Sequence, residues 1–249
     1  MDSGTGMLAK LFNPRSPAGA SAAPASQVAV GGATLSPDPS GALWLASDRL
    51  LIVADLHLEK GSAFAERRVF LPPYDTAATL ARLALVVARH SPRAIVALGD
   101  SFHDARAGER MTEDDRAALR ALQSRREWIW IAGNHDPEPP AGLGGQAMAE
   151  LRTGPLTLRH EPAAGAAPGE IAGHLHPAAR VRSPSGSVRR RCFVGDGERC
   201  VMPAFGAFAG GLNFRDAAFA PLFGARAITA HVLGRDAVFA IPEDRCLPD

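Results

Sequence analysis

The first half of the chain alternates short, continuously apolar runs with longer segments of helical periodicity. The apolar runs are LLIVA, AIVAL and WIWI, at residues 50–54, 94–98 and 128–131. Runs of this length, bounded by polar and turn residues, predict buried strands. The segments between them, residues 74–91 and 112–124, predict helices. An order of strand, helix, strand, helix, strand is typical of an α/β sheet.

The two helical segments each have an apolar face. In residues 74–91 the apolar positions that share a helix face are Leu80, Leu83, Ala84 and Val87. In residues 112–124, Thr112 is a candidate N-cap followed by acidic residues, and Leu119 and Leu122 lie on one face. Both helices are expected to pack that face against the sheet.

The rest of the chain predicts a tail, a hairpin and a strand-rich second half. Residues 1–26 are small residues and prolines without periodicity, which predicts a disordered tail. QVAVGG (27–32) and ALWLAS (42–47) predict a hairpin pair. After Pro140 the predicted strands are GPLTLRH, GEIAGHLHP, ARVR, VRRRCFV, RCVMPAF, AITAHVLG and AVFAIP. The simplest architecture is a single α/β domain over residues 27–249, with two packed sheets and helices outside.

Composition indicates a globular protein with reduced thiols. Hydrophobic residues make up 46% and charged residues 21% of the 249 residues, far from the composition of a disordered chain. No apolar run approaches the ~18 residues of a membrane span, and the N-terminus is a poor secretion signal, so we expect no membrane association and a cytoplasmic location. Cys192, Cys200 and Cys246 form no C-x-x-C pair and predict reduced structural cysteines.

Polar side chains that can bind metal follow the buried strands. The three strands end in ADLH, LGDSFHD and AGNHD, and two later runs end in LRHEP and AGHLHP. Because ligands collect beyond the carboxyl ends of strands in an α/β sheet, these segments are expected to meet in space. Six of the eight histidines fall within them. The candidate ligands are Asp55, His57, Asp100, Asn134, His160, His174 and His176.

A mixture of oxygen and imidazole ligands is typical of sites that bind Mn²⁺, Fe²⁺ or Zn²⁺. It is typical neither of calcium sites nor of zinc sites formed by thiolates. Seven ligands are too many for one tetrahedrally coordinated ion, but they can bind two ions if one carboxylate bridges the two. Such a pair, ~3.5–4 Å apart, is a standard arrangement for displacement at phosphorus. Taken singly, Asp55 is also explained as a turn residue and His160 as a core histidine. Five ordered segments at strand ends favour the joint metal site.

The five segments resemble the motifs of the calcineurin-like metallophosphoesterases: D-x-H at 55–57, G-D at 99–100, G-N-H-D at 133–136, His160, and G-H-x-H at 173–176. The resemblance implies a four-layer sandwich of two packed β-sheets flanked by helices. It implies that one metal ion is held by Asp55, His57, Asp100 and His176. A second ion would be held by Asp100, Asn134, His160 and His174, with Asp100 as the bridge.

The same resemblance implies the catalytic groups. A hydroxide between the metals would be the nucleophile, and His135 would protonate the departing oxygen as general acid. Gly133 is interpreted as allowing a sharp turn, and Asp136 as holding that turn or orienting His135. His103 stands where many family members have an aspartate, in a GDSFH segment similar to that of double-strand-break repair nucleases. It is a candidate to aid the leaving group or contact a phosphate; the alternative is a packing histidine.

Segments outside the metal motifs resemble a narrower family, the bacterial ligase-associated endonucleases of the DNA damage response. These segments are ADLHLEKGSAFAERRVFLPPYDTAATLARL, ALGDSFHD and MPAFGAFAGGLNF. The resemblance implies Mn²⁺-dependent phosphodiester cleavage of DNA and of small phosphodiesters. It also implies functional association with an ATP-dependent DNA ligase, a DEXH-box helicase and a β-lactamase-fold exonuclease.

The net charge of +1 does not by itself indicate a nucleic-acid partner, so only local clusters count. Arg67 and Arg68 follow the first metal motif, and a predicted hairpin after the last one carries Arg180, Arg182, Arg189, Arg190 and Arg191. These arginines either contact flanking phosphates or form a solvated strand edge. The alternative function is a phosphatase or a small-molecule, for instance cyclic-nucleotide, phosphodiesterase. An inactive scaffold is disfavoured because every ligand and the general acid are present.

Overall fold

The structure, a computed structural model, describes residues 27–69, 71–72, 74–184, 186–224 and 226–249. Within these ranges the strands lie in two mixed sheets with helices outside, which confirms the predicted α/β sandwich. No helix of the described ranges has both the length and the apolarity to cross a membrane. The predicted disordered tail, residues 1–26, lies outside the described residues.

The first sheet carries the three strands that the apolar runs predict. Its described strands, in spatial order, are β1 (Val28–Val30), β2 (Ala33–Pro37), β3 (Leu43–Leu45), β4 (Leu50–Ala54), β5 (Ala94–Leu98), β6 (Glu127–Ile131) and β7 (Gln146–Met148). Strands β4 to β7 are parallel, and β1 to β4 are antiparallel neighbours. The predicted pairing of β1 with β3 is wrong. Gly31 and Gly32, both at positive φ, turn the chain at once, so β1 pairs with β2 and β3 lies between β2 and β4.

The second sheet confirms the strand-rich second half. Its described strands are β8 (Glu150–Thr153), β9 (Leu156–Arg159), β10 (Glu170–Ala172), β11 (Pro177–Ser183), β12 (Gly186–Gly195), β13 (Cys200–Val201), β14 (Leu212–Asn213), β15 (Thr229–Leu233), β16 (Val238–Pro242) and β17 (Cys246–Leu247). The order is β14-β11-β12-β13-β10-β9-β8, with β15 joining β12 to β16 and β17 pairing with β11. Strands β2, β7, β8, β14 and β17 were not predicted, since they are short and partly exposed.

The helices are α1 (Lys60–Glu66), α2 (Asp75–His90), α3 (Ala107–Arg110), α4 (Glu113–Gln123) and α5 (Ala220–Phe223). The predicted cap is confirmed, because the Thr112 side chain accepts a hydrogen bond from the Asp115 N–H. In α2, Leu80, Leu83 and Val87 are buried as predicted. Ala84 is exposed, and that part of the prediction is wrong: it lies about 100° around the helix from Leu83, the centre of the buried stripe.

Hydrophobic side chains form three layers of core that explain the continuously apolar strands. In β4, Leu50 and Ile52 pack between the two sheets, whereas Leu51 and Val53 pack against α2 and α4. A third cluster joins the outer face of the second sheet to α5. The cysteines are buried free thiols, as predicted. A single domain over residues 27–249 stays a prediction, although the central core draws on both halves of that range.

Candidate metal centre

The predicted ligands come together where strands of both sheets end. In the first sheet, β4, β5 and β6 are parallel neighbours, so Asp55, Asp100 and Asn134 emerge at the same edge. In the second sheet, β9 and β10 are parallel, which places His160 beside the segment that contains His174 and His176. The site is therefore formed by residues that are far apart in sequence but follow neighbouring parallel strands within each sheet.

One group of ligand atoms is formed by Asp55, His57 and His176, whose atoms all lie within 4.8 Å of one another. The Nε2 atoms of His57 and His176 are 3.3 Å apart. Nε2 of His176 is 3.3 Å from Oδ1 of Asp55, and Nε2 of His57 is 4.0 Å from Oδ2 of Asp100. This is the first predicted ligand set.

A second group is formed by Asp100, His160 and His174, again within 4.8 Å. Oδ1 of Asn134 is 2.9 Å from Nε2 of His160 and 3.1 Å from Nδ1 of His174. Nε2 of His160 is also 3.3 Å from Oδ1 of Asp100. Asp100 therefore directs Oδ1 toward this group and Oδ2 toward the first, the arrangement that a bridging carboxylate requires.

The donor set fits divalent ions better than it fits hydrogen bonds alone. Ring nitrogens face each other at 3.3 Å between His57 and His176 and at 3.2 Å between His160 and His174. Two ligands bound about 2.1 Å from one ion lie about 3.0–3.4 Å apart when they subtend 90–110°. The distances thus match nitrogens that converge on a shared cation. Carboxylate, amide and imidazole donors in one site suit borderline divalent metals.

Backbone strain is concentrated at the same residues. Positive φ angles, which favour glycine, occur at Asp55 (52°), His57 (44°), Asp100 (42°), His174 (68°) and His176 (47°). Each such residue costs about 1–3 kcal/mol unless the surroundings impose it, and strain of this kind clusters at functional sites. Hydrogen bonds impose it here: the His57 N–H donates to the Asp100 carbonyl, and the His174 N–H donates to the Asp55 carboxylate.

Two glycines make room for the ligands. Gly99 has φ of 64°, and a Cβ there would lie 2.4 Å from the His160 ring. A Cβ on Gly133 would lie 2.1 Å from the Asp100 nitrogen. Within the described residues, Gly133 is not among the glycines at positive φ. The prediction that this glycine allows a sharp turn is therefore wrong. Close approach of the Asp100 loop, and not a sharp turn, requires glycine at 133.

Burial and neighbouring groups shift the pKa values of Asp100 and His57 in this site. Burial opposes ionisation of Asp100, but hydrogen bonds from His160 and from the His135 N–H outweigh it and hold the pKa of Asp100 well below its usual range. Burial, together with the neighbouring His176, lowers the pKa of His57 to about 3. His57 is therefore neutral near pH 7, which is the form of imidazole that binds metal.

His135 is oriented by the main chain of His103. Nδ1 of His135 lies 2.8 Å from the His103 carbonyl oxygen, and the His135 N–H donates to Oδ1 of Asp100. Nε2 of His135 is 3.9 Å from Oδ2 of Asp100, and the side chain is 40% exposed. The His103 ring lies with its centroid 5.6 Å from those of His135 and Phe64. The sequence could not predict the contact between His135 and the His103 carbonyl, because every residue carries a carbonyl.

Asp136 supports the neighbouring loop. It is buried, and its Oδ2 accepts a hydrogen bond from the Phe102 N–H. Burial raises the pKa of Asp136 to about 7. This hydrogen bond joins the loop after β6 to the loop after β5, and the two roles expected for Asp136, holding its own turn or orienting His135, stay predictions.

The arginine hairpin forms as predicted but its arginines do not share one surface. Strands β11 and β12 pair with Arg180 opposite Arg189, so these two lie on one face. Arg189 donates to the Gly211 carbonyl and pairs with Asp249. Arg191 donates to the Ala204 and Gly206 carbonyls, whereas Arg190 is exposed on the other face. The three adjacent arginines therefore have different surroundings.

A connection that sequence reasoning missed joins the two sheets at the site. The Phe205 and Gly206 N–H groups donate to the Ala54 and Asp55 carbonyls, and the Leu212 N–H donates to the His176 carbonyl. The 206–211 loop, defined as those six residues, thus begins at one predicted metal ligand and ends at another. The only sequence signal for it was the glycine-rich GAFAGG segment.

Comparison with known proteins agrees with this geometry. The family model for calcineurin-like phosphoesterases matches residues 48–179, more than half of the chain. The chain belongs to the calcineurin-like phosphoesterase family. This phosphoesterase is accordingly a hydrolase that acts on phosphoester bonds, with residues arranged to bind divalent metal ions.

Solved structures similar to this phosphoesterase include a nuclease. Pseudomonas putida nuclease MPE is 30% identical, with a TM-score of 0.66, and the match covers 86% of this chain and 98% of that chain. Yfce, a phosphoesterase from E. coli, is 12% identical, with a TM-score of 0.37, and the match covers 76% of this chain and 95% of that chain. Comparison with curated protein sequences found no match.

Proposed function

We propose that this phosphoesterase is a DNA endonuclease that cleaves phosphodiester bonds with two divalent ions and acts in DNA repair. The observation that carries the proposal is the position of Asp100, with one carboxylate oxygen toward each group of ligand atoms. The 30% identity to a protein named a nuclease supports the choice of substrate. Among divalent ions we propose Mn²⁺, with Fe²⁺ and Zn²⁺ as the alternatives, because the ligands combine oxygen and imidazole donors.

The ligands divide between the two ions. Asp55, His57 and His176 would hold the first ion, and Asn134, His160 and His174 the second, with Asp100 shared. When bound, two such ions would act as Lewis acids on the phosphoryl oxygens and lower the pKa of coordinated water. The residues themselves hold this centre rigid, because their strained backbones are fixed by hydrogen bonds between the strand ends.

His135 is the proposed general acid. A carbonyl can only accept a hydrogen bond, so the His103 carbonyl keeps a proton on Nδ1 of His135 and leaves Nε2 to exchange a proton with the substrate. The protonated imidazole donates from Nε2 to the departing ester oxygen. The His103 ring retains two roles in this proposal: contact with the leaving group or a phosphate, or packing against Phe64.

A polymeric substrate needs contacts beyond the reacting phosphate. We propose Arg189 as a phosphate contact, because it is exposed and donates to the Gly211 carbonyl at the end of the 206–211 loop. Arg190, the second predicted contact, is exposed on the other face of the hairpin. Arg191, the third predicted contact, has a donor committed to two carbonyls. From the apolar runs and the N-terminal sequence we also propose a cytoplasmic location. By the sequence resemblance alone, we propose functional association with an ATP-dependent DNA ligase, a DEXH-box helicase and a β-lactamase-fold exonuclease.

The test is metal analysis of the purified protein combined with a substrate panel. The panel contains supercoiled plasmid, bis-p-nitrophenyl phosphate, the p-nitrophenyl monoester and a cyclic nucleotide, each with Mn²⁺, Fe²⁺, Zn²⁺ or Mg²⁺. The proposal expects two ions per chain, nicking of the plasmid and hydrolysis of the small diester. Hydrolysis of the monoester or of a cyclic nucleotide without plasmid nicking would replace the endonuclease with a phosphatase or a small-molecule phosphodiesterase.

A further inference from the structure

Lys60 is a cation at the rim of the metal centre that no part of the proposed mechanism uses. It is the first residue of α1, three positions after the ligand His57. Its Nζ donates to the Phe208 carbonyl at 3.1 Å and lies 5.9 Å from the centre of the Phe64 ring. An ammonium has three donors, and this carbonyl occupies one of them. The side chain is half-buried, so its position is restricted.

The described residues place no carboxylate in an ion pair with Lys60. The adjacent acid, Glu59, is buried and turned away, because its two oxygens accept hydrogen bonds from Ser62 and Thr76. The Phe64 ring lies 5.9 Å from the Lys60 Nζ and 5.6 Å from the His103 ring, so the ammonium lies on the histidine side of the site. A half-buried cation without an anionic partner lies where a substrate would bring phosphates.

The 206–211 loop connects Lys60 with a second cation. Phe208, near the middle of the loop, accepts from Lys60, and Gly211, at its end, accepts from Arg189. The loop is anchored to the main chains of Asp55 and His176 at its two ends. Because Asp55 and His176 belong to the same group of ligand atoms, the loop passes directly beside the metal centre. A strand laid along it would meet Lys60 near the middle of the loop and Arg189 at its end.

We propose that Lys60 binds a phosphate adjacent to the scissile one, which makes it a substrate residue specific for polymeric phosphodiesters. The inference rests on the proposed nuclease function. A small diester ends at its two ester groups and has no neighbouring phosphate, so it cannot use this contact. A nucleic-acid strand carries a phosphate on each side of the cleaved bond. One phosphate neutralised by one ammonium also contributes to the salt dependence of binding.

The experiment compares Lys60→Gln, Lys60→Arg and the parent on a DNA substrate and on bis-p-nitrophenyl phosphate. Lys60→Gln should raise KM for DNA by about 10-fold or more, as expected for the loss of a charge-assisted hydrogen bond. The slope of log KM against log salt should fall by about 0.7–0.9. kcat/KM for the small diester should change far less, so kcat/KM for DNA should fall relative to kcat/KM for the small diester. Lys60→Arg should recover most of both losses.

Arg93→Gln is the matched control. Arg93 is a basic residue, 66% exposed, that precedes β5 at the opposite end of the sheet from the metal centre. Its substitution should leave both substrates unaffected. Thermal unfolding of each variant checks that the fold is retained.

Two results would overturn the inference. Equal losses on both substrates would mean that Lys60 acts on the reacting groups or the fold. An unchanged KM and salt slope for DNA would mean that Lys60 contacts no phosphate. A parent enzyme that hydrolyses the small diester and leaves DNA intact would instead refute the nuclease proposal, whatever the variants do.

Discussion

The carbonyl oxygen of His103 lies 2.8 Å from Nδ1 of His135. This contact joins the loops after β5 and β6, and the His135 N–H donates back to the Asp100 carboxylate on the first of those loops. The imidazole is therefore fixed through its ring and its main chain, with Nε2 left to face a substrate. An orienting acceptor is required for a general acid, and here the main chain supplies it without adding a further negative charge.

His135→Ala should keep its metal ions and lose hydrolytic activity by about 10²–10⁴-fold, the range for removal of a general acid. His103→Ala is its matched control, because that variant keeps the carbonyl that orients His135 and should lose less. The loss with His135→Ala should also be smaller on p-nitrophenyl diesters than on DNA, since nitrophenolate departs with little protonation. Equal losses on the two substrates would assign His135 another role.

Asp100→Ala should lose both metal ions and all detectable hydrolysis, because Asp100 contributes an oxygen to each group of ligand atoms. His176→Ala removes a ligand from the first group only and should retain the second ion. Metal content per chain, measured by plasma mass spectrometry after gel filtration, checks both variants. Two ions per chain in Asp100→Ala would refute the shared ligand.

Arg191→Ala should destabilise the protein, whereas the neighbouring Arg190→Ala should not. Arg191 donates to the carbonyls of Ala204 and Gly206, and Gly206 also accepts from the Ala209 N–H. Removal of Arg191 therefore leaves the Ala204 carbonyl without its donor, at a cost of about 1–3 kcal/mol. For a domain of this size that corresponds to a fall in Tm of roughly 2–12 °C. Calorimetry of the two variants measures the difference. Equal Tm values would show that these hydrogen bonds are not needed to hold the loop.

Stability should fall on acidification partly through His231. Burial lowers the pKa of His231 from 6.5 to about 4, so the unfolded chain takes up a proton that the folded chain excludes. The contribution of the neutral imidazole to the free energy of unfolding is therefore complete above pH 6.5, and about 2 kcal/mol of it is lost by pH 5. Urea unfolding at pH 7 and pH 5 should show a smaller loss for His231→Gln than for the parent. The same loss in both proteins would remove His231 as a cause.

The sequence by itself determined the buried strands, the two long helices and the ligand types of this protein. The apolar run before Asp55, the stripe through Leu83 and the cap at Thr112 depend on local periodicity and local hydrogen bonding, which a short window of sequence contains. The convergence of Asp100 with His160 also followed from sequence, because parallel strands that end at one edge bring their following residues together.

Only the tertiary structure decided which backbone groups and which charges meet. The pairing of β1 with β2, the His103 carbonyl beside His135, the separate surroundings of Arg190 and Arg191, and the anchoring of Lys60 on Phe208 each depend on spatial neighbours that sequence patterns do not specify. A carbonyl carries no residue-specific signal, and a charged side chain reaches whatever the fold places near it. The physical reason is that such contacts join segments up to 148 positions apart, whose relative placement is set by the packing of the two sheets.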